Sequence, residues 1–327
     1  MKVCVYGAGA VGGHAAARLI AAGHAEVFVV ARGAHLEAIR SNGLFLETEG
    51  QTIGGKPAGA TDDPATLPKQ DLVVVTLKAH SLPAIAAPLK ALLAPEARAL
   101  FFTNGIPWWW NAGINDEGSL PLLDPGGTLW RDLGPECVLG GVVHSANQIN
   151  RPGVVTHAAA NKWIIGEPAG GVSPRAEEAA GLFQKSGLIA PVSQDIRRDM
   201  WEKLTLNIAA NPLAALSRLR LGRWHEAPGI TELGQTMVLE VMAVARQMGW
   251  DISDKIDPAT AVPARPGRPG GYPSMLQDAV AGRPMEVEAI VGQVQAFARE
   301  NEVPTPAIDV VLPILRALNV VIAKPDA

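Results

Sequence analysis

The sequence predicts an α/β chain in two parts, a parallel-sheet domain over residues 1–193 and an all-helical domain over residues 194–327. Three observations carry this prediction. A β-favouring run, Lys2–Tyr6, leads into Gly7-Ala8-Gly9-Ala10-Val11-Gly12 and then into an alanine-rich helical stretch. The apolar runs Leu72–Leu77 and Ala99–Thr103 have the character of strands covered on both faces. From Asp195 onward the apolar spacing is that of helices.

Taken in order, Val3, Val5 and Tyr6 favour a first strand, Ala10–Ala22 a helix with Gly23 at its C-terminal cap, and Glu26–Val30 a second strand. Strand, glycine loop, helix and strand in this length make a Rossmann-type βαβ unit. Its glycines let the backbone turn tightly and approach a pyrophosphate at the positive end of the helix. Gly7, Ala8, Gly9, Ala10, Val11 and Gly12 are therefore candidate dinucleotide-binding residues. An NAD site usually carries an acid after the second strand; here Val29-Val30-Ala31 is followed by Arg32. A guanidinium there pairs with a 2′-phosphate, so NADP(H) is expected; singly, Arg32 also reads as a solvated loop residue. Lys78 and Asn104 follow the two apolar strands. In a parallel sheet such ends share one edge with the glycine loop, which makes both candidate cofactor-site residues. Taken singly, Lys78 is equally a surface lysine and Asn104-Gly105 equally a turn.

Val138–Val143, Val154–His157 and Trp163–Gly166 read as further strands, with a turn at Pro152-Gly153. Ser173-Pro174 fits an N-cap and first position for a helix through Lys185. His144 and His157 read as hydrogen-bonded structural histidines. The domain closes near Pro191–Gln194.

The predicted C-terminal helices are Arg198–Asn211, Ile230–Met248, Met275–Ala281, Met285–Asn301 and Ala307–Leu318. In the first, Lys203, Asn207 and Asn211 recur every four residues and share one stripe among apolar neighbours. An amine and two carboxamides there need polar partners, which a ligand rich in oxygen provides. Pro212 should kink or end this helix. Asp254–Pro273 reads as a loop whose Arg265 and Arg268 either close over an anion or belong to a solvated linker. Ser274-Met275-Leu276-Gln277 fits a capping box with Ser274 as N-cap. Glu286 follows Pro284, in the first turn of the next helix, where the macrodipole favours a carboxylate.

The whole chain has 327 residues and a net charge of −4, with no basic run to suggest nucleic acid. Cys4 and Cys137 have no partner at metal-ligand spacing, which disfavours both zinc and a disulfide framework. No signal peptide and no membrane span of about 20 apolar residues is expected. The reading is a cytoplasmic protein with a small-molecule substrate, without nucleic-acid, membrane or metal partners; a homodimer is compatible with it.

These residues resemble the ketopantoate reductase (2-dehydropantoate 2-reductase) family. The matching segments are GAGAVG at 7–12, Arg32-Gly33, TLKAHS at 76–81, TNGIP at 103–107, WEKLTLNIAANPLAAL at 201–216 and SMLQDAVAGRPMEVEAI at 274–290. The resemblance implies reduction of a 2-oxo acid by NADPH, with Lys203 as general acid. Asn104 would orient Lys203 or the nicotinamide, and Lys78 would serve the cofactor and help lower the amine's pKa. Asn207, Asn211 and Ser274 would hold substrate, and Glu286 would accept a hydrogen bond from substrate or Lys203. Two positions depart from the family: Leu221 and Val291 stand where asparagines are expected. Pro107–Arg131 looks like an insertion carrying Trp108-Trp109-Trp110 and Trp130, with Asp124-Pro125-Gly126-Gly127 as a turn. Those rings either wall an enlarged apolar substrate pocket, or pack the loop onto the domain or form a subunit interface. Two alternatives follow, a D-2-hydroxyacid dehydrogenase for a bulkier 2-oxo acid and a non-catalytic NADPH-binding regulator.

Overall fold

A computed structural model describes residues 1–114, 118–262 and 272–323. Arg265 and Arg268 lie outside these described residues. By their contacts, Met1–Thr103 and Trp108–Arg197 form one compact unit, and Asn104–Pro107 with Arg198–Ala327 form another.

The first unit alternates β1 (Lys2–Tyr6), α1 (Ala10–Ala22), β2 (Glu26–Val30) and α2 (Gly33–Asn42). Then follow β3 (Leu44–Thr48), β4 (Gln51–Gly55), β5 (Gly59–Thr61), β6 (Gln70–Val75), α3 (Ala86–Leu92) and β7 (Leu93–Phe101). The unit ends with β8 (Val138–Arg151), β9 (Val154–Gly166) and α4 (Pro174–Lys185). One sheet runs β4-β3-β9-β8-β7-β6-β1-β2-β5 among the described residues. Its central pairs are parallel, and Tyr6 lies level with Val30 and Val75, and Val75 with Phe101. The segments after β1, β2, β6 and β7 therefore leave from one edge, as the apolar runs predicted. Ala15, Ala16, Ala17 and Leu19 of α1 bury against Val3, Val5, Val29 and Leu44, which fixes the helix on the sheet. Gly23, at φ 68, closes the helix with its amide on Leu19 O. Ser173 caps α4 as expected, accepting from the Ala176 amide.

Two expected short strands after Pro152-Gly153 merge into the single strand β9, and β8 is longer than expected. Residues His144–Asn150 are mostly polar, and Ala158–Lys162 is an exposed alanine run ending in Asn161-Lys162, so neither announces a buried strand. Their ladder from Gly140↔Gly166 to Arg151↔Val154 is set by backbone pairing more than by burial.

His14, fully buried on α1, binds this ribbon. Its Nδ1 lies 2.8 Å from Asn147 Oδ1 and 3.2 Å from Ser145 Oγ. Its ring lies 4.7 Å from that of His157, which is itself held by Thr48 Oγ1 and Ala160 O. Burial pushes His14 down to about 4. The folded protein thus refuses a proton that the unfolded chain accepts near 6.5. The neutral-ring stability is complete above pH 6.5 and is lost as pH falls from 6.5 toward 4. Melting temperature should therefore fall across that window in the wild type and less steeply in His14→Gln. Parallel melting curves would remove this assignment.

The second unit is helical: most of α5 (Ile196–Ser217), then α6 (Ile230–Gln247), α7 (Pro258–Ala261) and α8 (Ser274–Val280). A π-helical turn at Glu288–Gly292 leads into α9 (Gln293–Glu300), followed by α10 (Pro306–Ala323). The sequence predicted one uninterrupted helix where this π turn lies. Helix α5 does not end at Pro212 but runs five residues beyond it. Ile208, Ala209, Leu213, Ala214 and Ala215 are all buried, and packing on both sides of the proline outweighs its missing amide.

Helix α10 corrects a further expectation, because it is long and apolar enough to cross a membrane. Its local chemistry is that of a docked bundle helix. The Glu240 carboxylate accepts from the Ala307 and Ile308 amides at 2.7 and 2.9 Å, and Arg316 forks onto Glu288. Ile308, Val311, Leu312 and Leu315 face inward.

Candidate active site

In the first unit the glycine loop is shaped by three different constraints. Gly7 has φ +97, and a Cβ there would sit 2.7 Å from Leu77 Cδ2. A Cβ on Gly12 would sit 2.3 Å from Thr76 Oγ1 and 2.5 Å from Gly7 O. The Thr76 hydroxyl donates to Gly7 O at 2.6 Å, closing the loop onto the end of β6. Gly9 differs, since its Cβ would meet nothing nearer than 3.9 Å. Open ground over Gly9, with no side chain capping the first amides of α1, suits an approaching pyrophosphate. These residues fit a dinucleotide.

Arg32 is exposed just beyond β2, at the N-cap of α2. Among the described residues no carboxylate pairs with it, so its fork is available to a phosphate. Lys78 is half-buried beyond β6, where a 3₁₀ turn Ala79–Ser81 begins.

In the second unit, α5 presents Lys203, whose Nζ donates to Asn104 Oδ1 at 2.7 Å. Asn104 Nδ2 in turn donates to Glu286 Oε2 at 3.0 Å. The carboxamide is held by its backbone: the Ile106 amide donates to Ala289 O at 2.8 Å. Gly105, at φ +77, lies so close that a Cβ would be 2.1 Å from that same oxygen. Amine, carboxamide and carboxylate form one polar chain. Burial lowers the Lys203 amine to about 8, and the Glu286 charge partly opposes the fall. The shift thus comes from desolvation. Glu286 also departs from expectation. It lies just ahead of the helix rather than in its first turn, and its carboxylate serves Asn104.

Asn211, one stripe position from Asn207, accepts from Ser274 Oγ and the Met275 amide, both at 3.1 Å. The N-cap of α8 is Pro273, so Ser274 is the first helical residue and not the cap that the sequence suggested. Asn211 supplies the capping oxygen from 63 positions away in the sequence. Asn207 is half-buried and its carboxamide makes no hydrogen bond among the described residues. Val291 is fully buried in the π turn, and Leu221 is half-buried.

Trp108, Trp109 and Trp110 are 1%, 0% and 1% exposed. Trp108 meets Phe101 edge-on at 5.6 Å, and Gly140 leaves room for Trp109. The rings belong to the interior of the first unit, which settles the loop-packing alternative over an exposed pocket wall. Two residues of this region escaped the sequence reading. Asp124, fully buried, accepts from the Leu129 and Trp130 amides. Arg197, 4% exposed, donates to the carbonyls of Trp110, Ala112 and Pro168. Only the turn-forming Asp124-Pro125-Gly126-Gly127 gave a signal for the first; nothing local marked the second.

A dinucleotide cradle on a parallel sheet, with a helical unit carrying a buried, acid-tuned amine, defines a nicotinamide-dependent oxidoreductase acting on a CH–OH group. The family described as Ketopantoate reductase PanE/ApbA matches residues 3–170, and Ketopantoate reductase PanE/ApbA C terminal matches residues 195–319. The chain belongs to the ketopantoate reductase family. It is 39% identical to the 2-dehydropantoate 2-reductase of Mesorhizobium japonicum over 323 residues, 98% of each chain. A PanE/ApbA family ketopantoate reductase from Ralstonia eutropha superposes with TM-score 0.82 at 28% identity, covering 98% of this chain and 99% of that one. D-Mandelate dehydrogenase, solved with NADH and anilino(oxo)acetate, has the same fold (TM-score 0.82, 20% identity, 98% and 99% covered).

Proposed function

We propose that this protein reduces ketopantoate to (R)-pantoate with NADPH. The observation that carries this reading is the Lys203–Asn104–Glu286 chain, with the amine brought down to about 8. Bound NADPH supplies a hydride to the ketone carbon. The amides over Gly7–Gly12 and the start of α1 hold its pyrophosphate, Arg32 its 2′-phosphate, and Lys78 the neighbouring cofactor groups. Negative charge growing on the ketone oxygen needs a proton, and Lys203 Nζ provides it. Asn104 Oδ1 aims the amine, while Glu286 holds the Asn104 carboxamide in the orientation that does so. Asn207, with its unengaged carboxamide, serves a substrate hydroxyl. Ser274 serves the carboxylate by turning its one hydroxyl proton to it from Asn211 Oδ1, which holds Ser274 Oγ at the start of α8.

A second reading has one specific support. Val291 and Leu221 are apolar where the family pattern expects carboxamides, which suits a bulkier, less polar 2-oxo acid. The buried tryptophans do not add to it. NADPH oxidation at 340 nm, with ketopantoate beside aryl and branched 2-oxo acids, separates the readings. Turnover of ketopantoate far above the others upholds the first; turnover of a bulky acid alone replaces it with the second.

Cofactor choice is tested separately. Arg32→Asp should raise KM for NADPH by about 10–100-fold and move the kcat/KM ratio toward NADH, since a charge-assisted fork to phosphate is replaced by repulsion. An unchanged ratio would return Arg32 to a solvated loop residue.

This reading includes a cytoplasmic setting, supported by two buried free thiols. It also includes a homodimer, supported by Val310, Ile314, Val320 and Val321, each more than half exposed on α10. Sedimentation as a monomer at micromolar concentration would remove the dimer.

A further inference from the structure

Arg197 is chemically out of place for a merely structural residue. It is a nearly inaccessible cation, yet no carboxylate among the described residues pairs with its guanidinium; the Asp195 carboxylate accepts from its backbone amide instead. It also stands in the first turn of α5, where the helix dipole opposes positive charge. Burial draws it down to about 10, and the Asp195 charge partly opposes the fall. All three guanidinium nitrogens donate to main-chain carbonyls. Nε and Nη2 reach Trp110 O, Nη2 reaches Ala112 O at 2.6 Å, and Nη1 reaches Pro168 O. The guanidinium lies over the rings of Trp109 and Trp110, at 5.8 and 5.5 Å.

The carbonyls it grips are on the strap that carries Asn104. Along this strap Asn104 meets Lys203, and six residues later Trp110 meets Arg197. Along α5, Arg197 and Lys203 are likewise six residues apart, or roughly 9 Å of helix. The two tethers close a ring of chain with a hydrogen bond at each end. The Ile106 amide on Ala289 O pins the strap midway but leaves its far end to Arg197.

We propose that Arg197 is a positioning residue: by fixing the Trp110 and Ala112 carbonyls at the root of α5, it sets the place at which Asn104 receives the Lys203 amine. The proposal rests on the reading of Lys203 as proton donor. Loosening the strap withdraws the Asn104 oxygen from the ammonium, which destabilises the charged form and lowers its pKa. Substrate and cofactor contacts are left alone.

Arg197→Lys keeps the charge but cannot fork across two carbonyls. It should lower kcat about tenfold and move the alkaline limb of the kcat profile to lower pH. KM for NADPH should stay within twofold. Arg197→Met should do the same more strongly; if it does not fold, Arg197→Lys decides alone. In an Asn104→Ala background, Arg197→Lys should cost nothing further, because the group it acts through is gone. A wild-type limb and kcat in Arg197→Lys would overturn the proposal, as would a full tenfold further loss in the Asn104→Ala background. Lys203→Ala run alongside keeps the two ideas apart. Undiminished turnover in Lys203→Ala removes the proton-donor reading itself. Lost turnover there, with an indifferent Arg197→Lys, removes only the positioning role.

Discussion

Lys203→Met should lower kcat by about a thousandfold and yet raise the melting temperature. The loss follows from removing a general acid, whose contribution is typically 10²–10⁴-fold. The gain follows from the same burial that tunes the amine. Its pKa is 10.5 in the ordinary state and about 8 here, so below pH 8 the folded protein holds a charge it would rather not bury. That difference corresponds to roughly 3 kcal/mol of destabilisation at neutral pH, fading as pH rises from 8 to 10.5. The Asn104 oxygen left without its donor returns part of this, so a net gain of roughly 1–2 kcal/mol, a few degrees, is expected. In the wild type, kcat should hold level below pH 8 and fall above it as the amine loses its proton. Lys203→Arg should stay as slow as Lys203→Met, since a guanidinium keeps charge but not a transferable proton. NADPH affinity should be unchanged in both variants. Activity and stability measured together decide the matter. Lower stability with retained turnover would mean the amine is a structural contact and not the acid.

The glycine loop was legible because its constraint is local. A residue without Cβ is needed wherever strand, turn and helix crowd together, and that need is printed in the spacing of Gly7, Gly9 and Gly12. The stripe of Lys203, Asn207 and Asn211 was legible for a similar reason, since helical periodicity is a property of neighbours in sequence. What each stripe member touches was not legible. Asn211 caps a helix whose start is more than sixty residues away, so Ser274 looked self-sufficient as a cap while the oxygen came from elsewhere.

The same distinction explains the other differences. Pro212 breaks isolated helices, but the burial of Leu213–Ala215 is decided by partners that no local rule sees. Three adjacent tryptophans announce an unusual place without saying which side of it is wet; Phe101, Gly140 and Arg197 settle that in three dimensions. Arg197 itself gave no signal, because an arginine near a helix start reads as solvated until its carbonyl partners are known. The polar link from Lys203 through Asn104 to Glu286 joins three distant stretches. Only the resemblance to a family grouped them beforehand, and even that left open which of Asn104 and Glu286 would meet the amine.

Two glycine substitutions separate cofactor binding from folding. Gly12→Ala forces a methyl to within 2.3 Å of Thr76 Oγ1 and 2.5 Å of Gly7 O. The second is backbone, so the start of α1 must move and the Thr76 bond to Gly7 O must stretch. Such overpacking costs roughly 1–3 kcal/mol, and it displaces the amides that would hold a pyrophosphate. Both the melting temperature and NADPH affinity should fall, the latter by at least about a hundredfold, since each 1.4 kcal/mol is tenfold. Gly9→Ala should behave differently. Its φ of −74 is open to alanine, and its methyl meets no protein atom within 3.9 Å. The fold should melt at the wild-type temperature while the methyl occupies ground a phosphate must enter, weakening NADPH by about tenfold or more. Fluorescence titration beside thermal melts reads both effects. Wild-type NADPH affinity in Gly9→Ala would show that the open ground above α1 is not where the dinucleotide lies.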